Sequence, residues 1–120
     1  NALARAKRHG FRTFASVEPI PVGMFDRAFS VIALSYPFVD LFKIGLQSGC
    51  RYTKRETLMF YNDVFGYWEA HPDKTPRIYW KDSFIRASGI ERETLPGYCV
   101  PANWIYQLPG TERRKRKRTR

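Results

Sequence analysis

Three short segments of the chain alternate between apolar and polar side chains at the period of two that a β-strand imposes. We predict strands over Thr13 to Glu18, Asp40 to Leu46 and Arg77 to Asp82. In each segment one set of alternating positions is mainly apolar, while the other contains polar residues or glycine near the end of the strand. Pairing of the first strand is expected to stop at Pro19, because proline has no backbone N–H to donate.

Between these strands, apolar side chains recur at intervals of three and four residues, which predicts helices. The alanine-rich segment Asn1 to His9 favours a helix that ends at Gly10, and a second helix is expected to end at Pro37. A short fourth helix begins with Ser83 as its cap and stops at Gly89. The apolar stripe of the second helix consists of Phe25, Ala28, Phe29 and Ile32.

The third and longest predicted helix starts with a capping box. Thr53 and Glu56 have the spacing at which each side chain accepts a hydrogen bond from the other residue's backbone amide. The helix is expected to end at His71, before Pro72. We interpret its aromatic-rich stripe as core rather than as a platform for stacking bases, because the spacing is that of one helix face. The stripe consists of Leu58, Tyr61, Val64, Phe65 and Trp68.

Strands that alternate with helices predict a parallel sheet joined by right-handed βαβ crossovers. We therefore expect a single α/β domain over residues 1–110, with three strands in a βαβαβ arrangement. A fourth strand is added if Trp104 to Leu108 pairs with the sheet. Such a sheet is open, so its edges are expected either to self-associate or to be covered by another segment.

The polar face of this sheet is the first candidate for function. Parallel strands that are covered by helices on both faces have nearly continuous apolar sequences, whereas these three strands carry polar residues on one face. Glu18 is the most unusual residue, because a carboxylate at the exit of a buried strand needs a cation, a metal or a ligand. The residues that face away from the apolar sets are Ser16, Glu18, Lys43, Gly45, Tyr79 and Lys81.

Ligands bind near the carboxyl ends of parallel strands, where Glu18, Lys43 and Lys81 are expected to meet. Gly45 would let a ligand approach the backbone, and Gln47 and Ser48 would lie just beyond it on the loop. The alternative is a plug of salt-bridged side chains that binds no ligand, since a buried acid needs a base in either case.

The chain offers little material for a metal site. Cys50 and Cys99 are far apart and form no Cys-x-x-Cys motif, and His9 and His71 stand alone. No stretch approaches the roughly 20 apolar residues of a membrane span, and no secretory hydrophobic region opens the sequence. The absence of a membrane span and of a secretory region in the sequence predicts a cytoplasmic protein without a membrane partner.

The net charge of +10 is concentrated at the end of the chain. Residues 112–120 hold seven Lys or Arg and one Glu, which is six of the ten net charges. We expect residues 111–120 to be a disordered basic tail, in which Arg113 to Arg120 either bind nucleic acid nonspecifically or have no partner.

Three segments of the chain resemble the later strands of the radical S-adenosylmethionine (SAM) enzymes. They are Phe14 to Ile20, Val39 to Gly45 and Ile78 to Ser83, and the similarity spans Ala2 to Val100. Phage-type and spore-photoproduct-lyase-like members, with their Ser-x-Glu-Pro strand, are the most similar. The resemblance implies a (β/α)6 partial TIM-type barrel that binds SAM and a 4Fe-4S cluster and forms a 5'-deoxyadenosyl radical.

The chain lacks the Cys-x3-Cys-x2-Cys motif with which this family holds its cluster. We therefore interpret it as the C-terminal half of such an enzyme, inactive alone and expected to bind no cofactor tightly. Its partner would be the missing N-terminal half of the barrel or a second copy of the chain. No catalytic residue is assigned by the resemblance. It implies that Ser16, Glu18, Lys43 and Gly45 contact the cofactor, while Tyr79, Lys81 and Gln47 face the substrate.

Two other interpretations stay open. The chain could be a small basic α/β module that binds nucleic acid through its tail and the cationic ends of its strands. It could also be a structural fragment without a ligand.

Overall fold

A computed structural model describes residues 2–104 of the chain. Within those residues, helices and strands alternate along the sequence. Two short 3-10 turns, Tyr36–Phe38 and Arg92–Thr94, complete the regular structure. The main elements are α1 (Ala2–Arg8), β1 (Phe14–Ile20), α2 (Phe25–Ser35), β2 (Leu41–Leu46), α3 (Lys54–Ala70), β3 (Arg77–Trp80) and α4 (Asp82–Ser88).

The three strands form one parallel sheet in the order β1-β2-β3. Neighbours in the sequence are thus neighbours in the sheet, with α2 and α3 as the connections. This confirms the predicted α/β class and the three-stranded parallel βαβαβ arrangement.

The outer edge of β3 is partly covered by the segment that follows α4. Ile78 donates its backbone N–H to the carbonyl of Tyr98 at 3.0 Å and accepts from the N–H of Val100 at 2.8 Å. These contacts form a parallel bridge between Ile78 and Cys99. The segment expected to pair with the open edge of the sheet was Trp104 to Leu108, of which only Trp104 is among the described residues. The end of the predicted domain at residue 110 and the basic tail also lie outside them.

The hydrophobic core lies between one face of the sheet and helices α2, α3 and α4. The apolar sets that alternate along the strands provide the sheet side of this core, as the sequence predicts. Ile44 and Ile78 are fully buried there, and Ile32, Val64 and Phe84 face them from the three helices. The sheet contributes Val17, Ile20, Phe42, Ile44, Leu46, Ile78 and Trp80.

Strand β1 does not stop at Pro19 but continues to Ile20, which pairs with Leu46. The prediction of its end was therefore wrong. The register shifts between Val17 and Ile20, around a cis peptide between Glu18 and Pro19. An edge strand tolerates proline because one side of its backbone needs no partner in the ladder.

The other end of the sheet also differs from the prediction. Strand β3 ends at Trp80, and α4 begins at Asp82 with Lys81 as its N-cap residue. Ser83 does not cap this helix, since its hydroxyl oxygen accepts a hydrogen bond from the backbone N–H of Leu46 at 3.0 Å. The Ser83 hydroxyl thus binds a backbone amide of strand β2 instead of an amide in the first turn of its own helix.

The capping box of α3 is present. The Thr53 hydroxyl accepts from the Glu56 N–H at 3.1 Å, and the Glu56 carboxylate accepts from the Thr53 N–H at 2.7 Å. The buried face of this helix is rotated from the predicted stripe, because Phe65 is exposed whereas Phe60 is buried. The buried positions of α3 are Thr57, Phe60, Val64 and Trp68.

Candidate functional site

The polar side chains of the three strands lie in rows across the face of the sheet opposite the core. Ser16, Lys43 and Tyr79 are directly paired in the β1-β2-β3 register. Two residues further along, Glu18, Gly45 and Lys81 form the next row, at the carboxyl ends of the strands. The structure thus brings together six of the seven residues selected from the sequence, and we call this surface the polar face.

An ion pair on the polar face joins strand β1 to Lys81, the residue that follows β3. The Nζ atom of Lys81 lies 2.8 Å from Oε2 of Glu18. The backbone N–H of Lys81 donates to the carbonyl of Ile44 at 2.8 Å, which fixes the end of β3 against β2. The hydrogen bond to Glu18 raises the pKa of Lys81, and desolvation opposes this only in part.

Gly45 of the central strand makes this pair possible. A Cβ atom at Gly45 would lie 2.8 Å from Cδ of Lys81 and 3.1 Å from Oε2 of Glu18. Because neighbouring strands lie roughly 4.8 Å apart, a pair that joins β1 to the residue after β3 must pass over β2. The space above Gly45, which the sequence suggested for a ligand, holds these two side chains. A ligand would reach the Gly45 backbone only if Lys81 moved away.

The polar face is open rather than deeply buried. The side chain of Lys81 is 44% exposed and that of Glu18 is 25% exposed. Lys43 does not join the pair, since its Nζ lies over the ring of Phe14, 4.8 Å from the centroid. Of the two lysines considered for Glu18, Lys81 is therefore the one in contact. The arrangement can hold one ionised carboxylate and offer a second cation to a ligand.

The seventh selected residue, Gln47, lies on a different surface. It lines a cleft of about 440 Å³ between the loop after β2 and helix α4. Of the residues that join it there, sequence reasoning placed Ser48 beside Gln47. Ser83 was predicted to be a helix cap, and Tyr52 and Arg86 were not singled out. No local signal marks these positions, because the cleft is assembled from three separate segments.

We tested whether the described residues fit an iron-sulfur cluster. Within residues 2–104, no group of three or more His, Cys, Asp or Glu side chains could hold a metal ion. Cys50 is exposed, and burial raises the pKa of the half-buried Cys99 to about 11, which favours its neutral thiol. The described residues therefore do not fit the cluster.

The polar face offers the carboxylate of Glu18, the hydroxyl of Ser16 and the partly exposed ammonium groups of Lys43 and Lys81. In the described part of the chain, no helix is long and apolar enough to cross a membrane.

Comparisons of the chain with models of protein families, with curated proteins and with solved structures find no match.

Proposed function

We propose that this chain forms the C-terminal strands of a radical SAM barrel and presents its polar face to the cofactor and the substrate. The main supporting observation is the Glu18–Lys81 pair, which crosses Gly45 on the face of the sheet opposite the core. Sequential parallel strands with their core on one side are the architecture of a barrel wall, and the opposite face then points to the barrel interior.

The edge of β1 supports this proposal. A groove of about 160 Å³ runs beside β1 and α2 and is lined mainly by apolar side chains. Val31 on α2 is half exposed beside it, and Leu34 on the same helix is 79% exposed. In a complete barrel the preceding strand would pair with β1, and its helix would cover this apolar surface.

SAM supplies a 5'-deoxyadenosyl radical when a reduced cluster cleaves it, and the cluster ligands must come from outside residues 2–104. This chain's own residues would bind and orient the cofactor. One oxygen of Glu18 contacts Lys81, and the other has no hydrogen-bond partner among the described residues. It can therefore accept from the amino group or the ribose hydroxyls of SAM, while Lys43 can pair with the SAM carboxylate.

The test begins with the residues encoded upstream of Asn1. We expect them to contain Cys-x3-Cys-x2-Cys after a strand, and we expect the longer chain, reduced without oxygen, to release 5'-deoxyadenosine from SAM. Glu18→Gln should weaken SAM binding to that protein about tenfold or more. Asp63→Asn, which removes the same charge from an exposed position on α3, is the matched control. An upstream sequence without the motif would refute the proposal.

One observation favours the nucleic-acid module as a second candidate. The polar face combines aromatic rings with cations, since Lys43 lies over Phe14 and Arg92 lies 5.6 Å from the centroid of Tyr79. Phe14 is 51% exposed, so a base could stack on it. Salt separates the candidates, because binding to phosphates weakens steeply with added salt and binding of a small cofactor does so much less.

A further inference from the structure

The cleft between the loop after β2 and helix α4, the β2–α4 cleft, lies at the carboxyl end of the central strand. Its volume of about 440 Å³ exceeds that of the apolar groove beside β1, and it opens to solvent. The apolar side chain of Leu46 belongs to the core beneath it. The polar side chains that line the cleft are Gln47, Ser48, Cys50, Tyr52, Ser83 and Arg86.

The charge of this cleft is positive. Arg86 is exposed and has no carboxylate within ion-pair distance among the described residues, and no Asp or Glu lines the cleft. The acids that flank it in sequence are engaged elsewhere, since Asp82 pairs with Arg92 and Glu56 belongs to the capping box of α3. A guanidinium without a carboxylate partner offers paired N–H donors to an anion.

The hydroxyl of Ser83 adds a directed donor. Its oxygen accepts from the Leu46 N–H at 3.0 Å, so its own hydrogen has no acceptor among the described residues and is available to a ligand. Tyr52 fixes the loop, because its hydroxyl accepts from the Gln47 N–H at 3.1 Å and donates to the carbonyl of Ile20. Gly49 allows the turn with a positive φ of 76°.

We propose that the β2–α4 cleft binds the phosphoryl group of a small phosphorylated ligand. Arg86 supplies the charge and a bidentate contact, and Ser83 and the exposed Ser48 supply hydroxyl donors. The cleft has room for an organic group attached to the phosphate. This site lies outside the polar face, so its test does not depend on the radical SAM proposal.

The first experiment is a titration of the full chain with inorganic phosphate and with glycerol 3-phosphate, followed by calorimetry at constant ionic strength. Arg86→Gln should weaken both affinities about tenfold or more, since a charge-assisted contact is lost. The control is Arg8→Gln, which removes an exposed arginine from α1, before the first strand. Equal affinities of the Arg86→Gln protein and the natural chain would overturn the proposal.

The second experiment uses Cys50, which is exposed and lines the same cleft. Its alkylation by neutral iodoacetamide should slow severalfold when phosphate or glycerol 3-phosphate is added to the natural chain. The Arg86→Gln protein should show no such protection. Alkylation that phosphate does not slow, or that only a nucleic acid slows, would overturn the proposal.

Discussion

The Glu18–Lys81 ion pair has a moderate expected effect on stability. Removing one partner of a fully buried pair costs about 3–5 kcal/mol, whereas an exposed pair contributes roughly 0–1 kcal/mol. Because Lys81 is 44% exposed, we expect Glu18→Gln to lower the free energy of unfolding by about 1 kcal/mol or less near neutral pH. Denaturant unfolding measures this, and Asp63→Asn provides the matched change of charge on an exposed helix position.

The pH dependence of this loss has a definite sign. The hydrogen bond to Glu18 raises the pKa of Lys81 in the folded chain, so the pair stabilises the fold below the ordinary lysine pKa of about 10.4. The stabilisation is lost as the pH rises through the folded pKa of Lys81. The natural chain and Glu18→Gln should therefore converge in stability at strongly alkaline pH. A difference that stays constant across that range would contradict the assignment.

Gly45 and Gly66 allow a comparison of two glycines under different constraints. Alanine at Gly45 would place its Cβ 2.8 Å from Lys81, so Gly45→Ala should displace the ion pair and destabilise the chain or leave it unchanged. Gly66 lies inside α3 with open space where a Cβ atom would be added, so Gly66→Ala should stabilise the chain by about 0.5–1 kcal/mol. Thermal unfolding of both proteins tests this. Equal stabilisation by the two changes would show that the space above Gly45 is not needed by the pair.

Strands and helices were predictable from this sequence where a single periodicity acts. Alternation identified the strands and the polar face, and the Thr53 box identified the start of α3. The rotation of α3 was not predictable, since aromatic residues lie on several sides of the helix. Tertiary packing of Phe60 against Phe25, Trp80 and Phe84 buries it, whereas Phe65 stays exposed. The end of β1 was missed because an edge position relaxes the rule for Pro19.

The edge formed by β1 and α2 is the surface on which we expect self-association. The edge of β3 is partly paired with the segment around Cys99, whereas β1 has no second neighbour in the described sheet. The natural chain should therefore form dimers that dissociate on dilution, and Val31→Lys should shift it to monomer by placing a charge in the apolar groove. Met59→Lys, at an exposed position of α3, is the control. Sedimentation that shows monomers at every concentration would contradict this expectation.

At the level of the complete chain, the candidate site was predictable in part. The polar face follows from the alternation along the strands, because burying their apolar sets on one side of the sheet turns the polar sets to the other. Glu18 pairs with Lys81 rather than Lys43 because the Lys81 side chain extends over Gly45, while Lys43 lies over the ring of Phe14. The alternation of the strands specifies neither of these positions. The β2–α4 cleft depends on tertiary contacts between distant segments, so no sequence motif indicates it.

The distribution of charge along the chain leads to the last prediction. Residues 112–120 carry six of the ten net positive charges and lie outside the described residues. The buried core of the described residues is built from positions 17–84. Deleting residues 112–120 should abolish most affinity for single-stranded nucleic acid and leave the melting temperature unchanged. The deletion should also make the affinity less dependent on salt, because each phosphate contact contributes a slope of about −0.7 to a plot of log affinity against log salt concentration.

A tail with the same residues in scrambled order is the control for this deletion. It should keep the affinity, because charge and not sequence provides contacts to phosphates. Titrations at several salt concentrations, with thermal melting of each protein, measure both effects. Binding by the truncated chain that remains strong and steep in salt would assign it to the cations of the polar face, Lys43 among them. The nucleic-acid module would then be favoured over the radical SAM proposal.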